Sequence, residues 1–393
     1  MKLAYVLPMY GAEVLGGAEG AARALAEHLV ERPGWSVEVL TSCARESTTW
    51  ADAFPAGTTV EGGVTVRRMH AEPRSADFDD WSARVLRHPE HAAPDLEREW
   101  IVRQGPTSPE LIDAVVASDA DLVAFHPYLY HPTVAGLPRV ASRSMLHAAA
   151  HDEAPIRLPV FRRVFGDAHA LVFWTTGEQR FVNRTFAVRA TPQLVLGIGV
   201  ESGAGEADAA RDALGLGDRP YLLCLGRVDA GKGTSMLASF FTAYKERHPG
   251  PLTLVFAGPV KNAPDPHPDI VVAGAVDEPT KWGLLRGADV LVNPSAMESF
   301  SIVVLEAWEA GIPVLVNARC QATRDHASQS NGGLWFDGYG EFEVAVERLT
   351  ADASLRADLT ARGRAYVAAR YHWPTLLDRY TAFCQRLTAE APV

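Results

Sequence analysis

Continuous apolar runs alternate along this chain with amphipathic stretches of helical period. Residues 3–7 and residues 221–225 are apolar runs of the length that buried parallel strands have. Each run is followed by a turn that contains glycine and then by a predicted helix. Strand, turn and helix in this order predict an α/β fold with parallel sheets. The first predicted helix has one apolar face, formed by Ala22, Leu25, Ala26 and Leu29.

The last predicted helices lie between residues 361 and 388, with a break near Pro374. Beyond the break, an apolar helix face is formed by Leu376, Leu377, Tyr380, Phe383 and Leu387.

The chain has 393 residues, which is too long for one hydrophobic core, and its hydrophobic content of 47% is that of an ordinary globular protein. The sequence therefore predicts two α/β domains.

The turn after residues 221–225 has the composition of a phosphate-binding loop. Gly226 and Arg227 follow the predicted strand, and Gly231, Lys232 and Gly233 precede a helix predicted from about residue 235 to residue 246. Glycines let the backbone approach a ligand closely, and the first N–H groups of a helix attract anions. Arg227 and Lys232 add two cations that can hold a diphosphate. A solvated loop with two surface bases is the structural alternative.

Residues 226–232 also match G-x-x-x-x-G-K, which favours a second hypothesis, a P-loop NTPase. A P-loop requires Ser or Thr directly after the lysine to bind magnesium, but Gly233 stands there and Thr234 comes one position late. Asp289, the best candidate for a magnesium-binding carboxylate, precedes its predicted strand instead of ending it. These departures disfavour the NTPase hypothesis.

A second polar pattern follows the turn Asn293-Pro294-Ser295. It reads ESFSIVVLE and places Glu298 and Glu306 at the two ends of an apolar run that enters a helix. Because Glu306 lies among apolar residues, we expect its carboxylate to be buried and compensated by a hydrogen-bonding partner, and hydroxyl-rich ligands supply such partners. The structural alternative is that Glu298 stabilises the helix N-terminus and that Glu306 lies at the solvent-exposed edge of the helix.

Together, the two patterns resemble the retaining nucleotide-sugar glycosyltransferases of family 4. The resemblance implies the GT-B fold, an α/β architecture of two Rossmann-like, doubly wound parallel-sheet domains with an interdomain cleft. We expect an acceptor-side N-terminal domain at 1–198, a donor-binding domain at 199–370 and a helix at 371–393 that crosses back to the N-terminal domain. The resemblance is carried by Gly226, Arg227, Lys232, Gly233, Pro294, Ser295, Glu298, Phe300, Ser301, Glu306, Ala307, Gly311, Pro313 and Val314.

The resemblance also implies roles for individual residues. Arg227 and Lys232 are expected to bind the donor diphosphate and to stabilise the departing nucleotide. Glu298 is expected beside the hydroxyls of the donor sugar, and Glu306 at the ribose. Backbone contacts to the donor are expected from Phe300, Ser301 and Ile302 at the phosphates and from Val276 at the nucleobase.

In the N-terminal half, Gly16 and Gly17 resemble the glycine pair that brings the backbone close to the donor phosphate, although a flexible turn is the alternative. Residues 145–153 are interpreted as a strand with His151 and Asp152 at its carboxyl end. The resemblance implies that His151 helps to position the donor sugar, and His147 is the competing candidate. Residues 61–109, which mix aromatic and charged side chains, are either an acceptor-specificity region or a solvated insertion.

Composition narrows the classes of partner. The net charge of −11 argues against nucleic-acid binding and gives no support for polybasic attachment to a membrane. The four cysteines lack C-x-x-C spacing, so the sequence indicates neither a zinc site nor a disulfide framework, and a reducing cytoplasm is the expected location. No segment approaches the ~20 apolar residues that a membrane-spanning helix needs.

The leading hypothesis is a metal-independent, retaining hexosyltransferase that needs no cofactor. Its partners are a nucleotide-sugar donor and a hydroxyl acceptor, namely a saccharide, a lipid-linked sugar or a small molecule. Whether the chain forms a homo-oligomer stays open. The alternatives are a P-loop-like NTPase, another GT-B enzyme such as a phosphorylase or an epimerase, and a non-catalytic protein that binds nucleotide sugars.

Overall fold

A computed structural model describes residues 1–14 and 16–389. The chain divides into two compact units, of which the first contains Met1–Gly199 and the chain from Leu376 onward, and the second contains Val200–Thr375. The first boundary thus falls at residue 199, where the sequence placed it at 198, and the second falls at residue 375, where the sequence placed it at 370. Residues 390–393 of the predicted terminal helix lie outside the described residues.

The N-terminal unit contains an eight-stranded sheet of order β3-β4-β2-β1-β5-β6-β7-β8. All neighbouring strands pair in parallel except β3 and β4, which pair antiparallel at one edge. The chain order reverses between β1 and β5, so the carboxyl ends of these strands form a topological switch point. The strands are β1 (Lys2–Val6), β2 (Ser36–Ser42), β3 (Gly57–Glu61), β4 (Val64–Met69), β5 (Leu122–Phe125), β6 (Ser144–His147), β7 (Ala170–Phe173) and β8 (Gln193–Val195).

Seven α-helices connect these strands. The predicted apolar face of the first helix is confirmed, because Ala22, Leu25, Ala26 and Leu29 are all buried. The helices are α1 (Gly17–Val30), α2 (Phe78–Val85), α3 (Pro94–Gln104), α4 (Pro109–Ala117), α5 (His131–Gly136), α6 (Val160–Asp167) and α7 (Thr176–Phe186).

The second unit contains a six-stranded, fully parallel sheet of order β11-β10-β9-β12-β13-β14. This is the 3-2-1-4-5-6 order of a dinucleotide-binding sheet, and its switch point lies between β9 and β12. The predicted strand at residues 221–225 is observed with the same bounds. The strands are β9 (Tyr221–Leu225), β10 (Thr253–Ala257), β11 (Ile270–Gly274), β12 (Val290–Asn293), β13 (Val314–Asn317) and β14 (Gly333–Phe336).

Eight further α-helices lie within the residues that the structure describes. The predicted break near Pro374 is confirmed, because one helix ends at Arg370 and the next begins at Trp373. The five predicted apolar residues of the last helix are buried at 6% exposure or less. The helices are α8 (Ala207–Ala213), α9 (Thr234–Arg247), α10 (Glu278–Gly287), α11 (Ile302–Ala310), α12 (Gln321–Ser330), α13 (Tyr339–Ala351), α14 (Ala353–Arg370) and α15 (Trp373–Ala389).

The structure corrects the interpretation of residues 145–153 as a strand that ends at His151. Strand β6 ends at His147, and Ala149 adopts a left-handed conformation with φ of 49°. His151 therefore lies in a loop that leaves the sheet. If the strand had continued from His147 to His151, successive Cβ atoms would point to alternating faces of the sheet. The left-handed residue instead turns the chain out of the strand direction.

Residues 61–109 fold onto the N-terminal core. Phe78 and Trp100 are buried and pack together, with ring centroids 5.5 Å apart. The charged residues of this region pair with one another on the surface, as in the ion pairs Arg103–Asp77 and Arg74–Asp79. This packing is that of an amphipathic insertion, and an acceptor role for the region stays a prediction. Within the part of the chain that the structure describes, no helix is long and apolar enough to span a bilayer.

Buried histidines make the stability of both units depend on pH. Burial lowers the pKa of His126 to about 4, of His147 to about 3 and of His326 to about 4. Below the ordinary value of 6.5, the unfolded chain binds protons at these rings and the folded chain does not. Stability that is present at pH 7 is therefore lost as the pH falls toward the folded-state pKa values.

We predict that His147→Gln flattens the loss of stability between pH 7 and pH 5. One such histidine contributes ~1.4 kcal/mol per pH unit below its unfolded pKa, or about 2 kcal/mol at pH 5. Urea unfolding of both proteins at both pH values measures the difference. Because both proteins share all other titrating groups, the comparison cancels their effects. One such group is Glu178: burial raises its pKa to about 7, and its effect on the pH dependence of stability has the opposite sign. Equal slopes in the two proteins would contradict the assignment.

Candidate active site

The loop between β9 and α9 is held by bonds within itself. The Asp229 carboxylate accepts a hydrogen bond from the Gly231 N–H at 2.7 Å. The Thr234 hydroxyl is buried and donates to the Asp229 carbonyl at 3.0 Å. A P-loop places a hydroxyl directly after its lysine, whereas here Gly233 takes that position and the Thr234 hydroxyl is buried one residue later.

Gly233 joins this loop to the loop that follows β12. Its φ is +75°, and a Cβ atom at this position would lie 2.5 Å from the carbonyl oxygen of Pro294. Both facts require glycine, because a side chain would strain the backbone and collide with Pro294. The glycine that breaks the P-loop pattern thus permits the contact that brings the two sequence patterns together.

The loop between β12 and α11 is shaped by Asn293. Its side-chain oxygen accepts from the Ser295 N–H at 3.0 Å, and its amide nitrogen donates to the Ser301 hydroxyl at 2.8 Å. Ser301 has φ of +67°, an unusual conformation for a residue other than glycine. Strained residues of this kind concentrate at ligand sites. Phe300 anchors the loop in the core, edge-on to His326 at 4.7 Å between ring centroids.

Lys232 and Glu298, 66 residues apart, form an ion pair. The Lys232 ammonium lies 2.8 Å from one Glu298 carboxylate oxygen and 2.9 Å from the other. Their side chains are 35% and 17% exposed, so a ligand can reach both. Arg227 is not part of this pair. Its guanidinium lies 3.3 Å from Asp229 and its side chain is 57% exposed.

Helix α11 begins at Ile302, directly after the strained Ser301. The first N–H groups of a helix have no partner within it, and they carry partial positive charge. The predicted phosphate donors Phe300, Ser301 and Ile302 therefore lie where a helix N-terminus starts, at the carboxyl end of β12. Their contact with a phosphate stays a prediction.

Glu306 is buried, with 8% of the residue exposed, as the sequence predicted. Its compensation comes from Lys281, whose ammonium lies 2.9 Å from Glu306 and 2.7 Å from Glu278. Burial raises the pKa of Glu306, and Lys281 acts in the opposite direction. Burial acts to lower the pKa of Lys281, but Glu306 and Glu278 hold it above its usual value. Lys281 of α10 thus links the Glu278 carboxylate to the Glu306 carboxylate of α11.

Sequence reasoning missed Lys281. Its one sequence signal is the i, i+3 spacing from Glu278 in α10, which is an ordinary surface pattern. Val276, the predicted nucleobase contact, lies in the loop between β11 and α10 and is half-buried. The next residue, Asp277, caps α10 by accepting from the Thr280 N–H at 2.9 Å. The loop thus leads directly into the helix that carries Lys281.

In the N-terminal unit, α1 begins at Gly17, and Gly16 is the residue before it. The Gly16 carbonyl accepts from the Gly20 N–H at 2.9 Å, which closes the first turn of the helix. A side chain at Gly16 would overlap the Glu19 carboxylate. The glycine pair follows β1, at the switch point of this sheet. Ligand-binding loops of parallel sheets lie at the carboxyl ends of the strands at such points.

The structure separates the two candidate histidines. His147 is buried between two tyrosines, with its ring nitrogens 3.2 Å from the Tyr5 hydroxyl and 3.1 Å from the Tyr380 hydroxyl. It is a residue of the core. His151 has 36% of its side chain exposed, and its Nε2 lies 3.4 Å from Glu153. The Glu153 side chain raises the pKa of His151 above its usual value, against the effect of burial.

Two carboxylates that the sequence did not single out support the His151 loop. Glu153 accepts from the Tyr128 hydroxyl at 2.6 Å, which fixes the carboxylate beside the imidazole. Glu178 is buried and accepts from the N–H groups of Ala150 and Trp174, each at 2.7 Å. The signal for Glu178 was present in the sequence, since Thr175-x-x-Glu178 is the pattern of a capping box. The structure shows Thr175 accepting from the Glu178 N–H at 3.0 Å.

Comparison with known proteins gives matches to glycosyltransferases. Residues 219–352 match the family model described as glycosyl transferases group 1. The GDP-mannose-dependent alpha-(1-6)-phosphatidylinositol monomannoside mannosyltransferase of Mycobacterium tuberculosis is 27% identical over 342 residues, which cover 78% of this chain and 85% of that protein. The D-inositol 3-phosphate glycosyltransferase of Acidothermus cellulolyticus is 29% identical over 58% of this chain and 59% of its own length.

Solved structures agree on the fold. A sucrose-phosphate synthase from Thermosynechococcus elongatus superposes with a TM-score of 0.69 at 18% identity, over 99% of both chains. A trehalose-6-phosphate synthase superposes with a TM-score of 0.74 at 14% identity, over the whole of both chains. At these identities the likeness concerns the fold alone.

The two α/β sheets have the architecture of the GT-B fold. The matches to named glycosyltransferases support glycosyl transfer as the activity. Residues 219–352 match the group 1 glycosyl transferases, and the resemblance to family 4 is confirmed. The NTPase and the non-catalytic alternatives are not favoured.

We predict that Gly233→Ala destabilises the protein by ~1–3 kcal/mol or more. One strained backbone position costs about that much, and the new Cβ atom also forces the backbone at position 233 away from Pro294. Urea unfolding measures the loss. Gly250→Ala is the matched control, because a Cβ atom there meets nothing within 4 Å and its φ is outside the left-handed region. Equal stability of the Gly233 and Gly250 variants would show that the close approach is not required.

Proposed function

We propose that this glycosyltransferase moves a hexose from a nucleoside-diphosphate sugar to a hydroxyl acceptor, with retention of configuration and without a metal ion. The observation that carries the proposal is the Lys232–Glu298 pair, which joins the glycine-rich loop after β9 to the loop after β12. A cation for the leaving diphosphate and a carboxylate for sugar hydroxyls are thereby placed side by side.

Charge develops on the leaving diphosphate as the bond to the sugar breaks. Lys232 and Arg227 are the cations of this loop, and the start of α11 adds N–H donors. Such groups stabilise developing negative charge without a metal ion when they are fixed before the reaction. Donor binding exchanges part of the Lys232–Glu298 contact for contacts to phosphate and hydroxyl oxygens. Glu298 then orients the sugar, which is the role proposed for it.

Glu306 and Lys281 are the groups proposed to hold the nucleoside. Glu306 offers a buried carboxylate that pairs with the Lys281 ammonium, and ribose hydroxyls are its natural donors. Val276 precedes the helix that carries Lys281, and its backbone is proposed to contact the nucleobase. The M. tuberculosis relative is named for a GDP-mannose donor, which makes GDP-hexoses the first donors to test.

The acceptor is proposed to be a polyol or saccharide hydroxyl. The relatives are named for inositol-containing acceptors, and phosphorylated inositols are therefore the first to test. In the N-terminal unit, Gly16 and Gly17 are proposed for the donor phosphate and His151 for the donor sugar. The four cysteines are unpaired, which supports a reducing, cytoplasmic location.

Retention is proposed to follow a front-face route, in which the leaving phosphate helps to deprotonate the acceptor. No side chain is assigned as nucleophile or classical base. The anomeric configuration of the first-formed product, measured by NMR, distinguishes retention from inversion. Transfer rates after chelation test the absence of a metal requirement, and a loss of rate that magnesium or manganese restores would contradict it.

We predict that Lys232→Ala lowers kcat about 100-fold or more, because the leaving diphosphate loses a fixed positive charge. Circular dichroism and the melting temperature show whether the variant is folded. Arg247→Ala is the matched control, since Arg247 is an exposed cation at the opposite end of α9. An unchanged transfer rate in a folded Lys232 variant would remove the diphosphate role and with it the proposed function of this loop.

A further inference from the structure

Three side chains of metal-binding type meet at the carboxyl edge of the N-terminal sheet. The Cys43 sulfur, an Asp52 carboxylate oxygen and a His70 ring nitrogen all lie within 4.8 Å of one another. They are far apart in sequence and come together through the fold. Cys43 directly follows β2, and His70 directly follows β4, which is the parallel neighbour of β2.

The backbone fixes the positions of all three residues. The Cys43 N–H donates to the Met69 carbonyl at 3.0 Å, which aligns the ends of the two strands. The Cys43 carbonyl accepts from the N–H groups of Ala53 and Phe54 at 2.8 and 2.9 Å, which places Asp52 beside the strand ends. A site whose ligands are already positioned loses little conformational entropy when it binds an ion.

From this cluster we propose that Cys43, Asp52 and His70 bind a divalent cation of borderline softness, with Zn²⁺ as the expected ion. A thiolate, an imidazole and a carboxylate are the three ligand types that zinc uses, and hard cations such as Mg²⁺ prefer oxygen alone. Three protein ligands leave one position for water in a tetrahedral site.

The geometry requires only small movements of exposed side chains. The Asp52 oxygen and the His70 Nδ1 are 2.5 Å apart, whereas ligand atoms around a tetrahedral zinc ion lie roughly 3.3–3.7 Å apart, given zinc–ligand distances of ~2.0–2.3 Å. The Asp52 and His70 side chains are 41% and 68% exposed, so this pair can open around an ion. Cys43 is fully buried and forms the inner side of the site.

The surrounding charges permit a cation. Burial raises the pKa of the Cys43 thiol to about 11, and the carboxylates Asp52 and Glu110 act in the same direction, against Arg68. Arg68 is itself paired with Glu61, with a contact of 3.0 Å, so its charge is compensated. Ion binding releases the thiol proton to solvent as the sulfur–metal bond forms. Affinity therefore rises with pH.

The proposed ion would brace the loop at residues 44–52 against the sheet. Ala44 and Trp50 of this loop pack with Met9 and Val14, which lie in the segment between β1 and α1. That segment leads to Gly16. The proposed ion therefore stabilises the segment before the glycine pair, and it takes no part in sugar transfer.

Cobalt titration of the metal-stripped full chain tests the proposal, because thiolate bound to Co²⁺ gives a charge-transfer absorption band in the near ultraviolet. We expect one equivalent of Co²⁺ to produce the band and Zn²⁺ to remove it. Cys43→Ser should abolish the band, and His70→Ala, at an exposed position that leaves the core intact, should weaken binding ~10-fold or more. His70→Ala should also lose the zinc-dependent rise in melting temperature.

Two matched variants control for adventitious binding. Cys320→Ser removes another buried thiol, and His91→Ala removes another exposed imidazole. Both should bind Co²⁺ as the wild type does. Absence of the band in the wild type, its persistence in Cys43→Ser, or equal affinity of His70→Ala and wild type would each overturn the proposal.

Discussion

The candidate site depends on the close approach of two backbones at the switch point of the second sheet. Gly233, in its left-handed conformation, lies against the carbonyl of Pro294, and no residue with a Cβ atom fits there. Because of this approach, the loops after β9 and β12 share one site. Lys232 then lies close enough to donate a hydrogen bond to each carboxylate oxygen of Glu298.

The same constraint explains why the chain does not form a P-loop. A P-loop wraps a phosphate with a lysine and a hydroxyl in succession, and its hydroxyl binds magnesium. Here glycine takes the position after the lysine, and the Thr234 hydroxyl stabilises the loop from within. Two basic side chains of this loop, Arg227 and Lys232, are the groups proposed to bind the diphosphate.

Much of this could be predicted from sequence, because local patterns specify local structure. Strand β9 has the predicted bounds, and the two motifs identify Lys232, Glu298 and the buried Glu306. Tertiary partners leave no local signal, so Lys281, the partner of Glu306, was missed. The strand before His151 was predicted too long, because the left-handed turn at Ala149 occurs at an alanine, which usually avoids that conformation.

The Cys43, Asp52 and His70 cluster was missed for the same reason as Lys281. Its residues do not have the spacing of a zinc motif in the sequence, and the parallel pairing of β2 with β4 brings two of them together. Which side chains meet across a sheet depends on the order of its strands. That order depends on tertiary packing, which a single sequence does not display.

Isothermal titration calorimetry of GDP, UDP and ADP, in metal-free buffer, tests the central claim most directly. The account predicts that one nucleoside diphosphate binds with a stoichiometry of one, and that its hexose derivative binds without added magnesium. Binding of none of the three at millimolar concentration, or binding of ATP alone and only with magnesium, would contradict it.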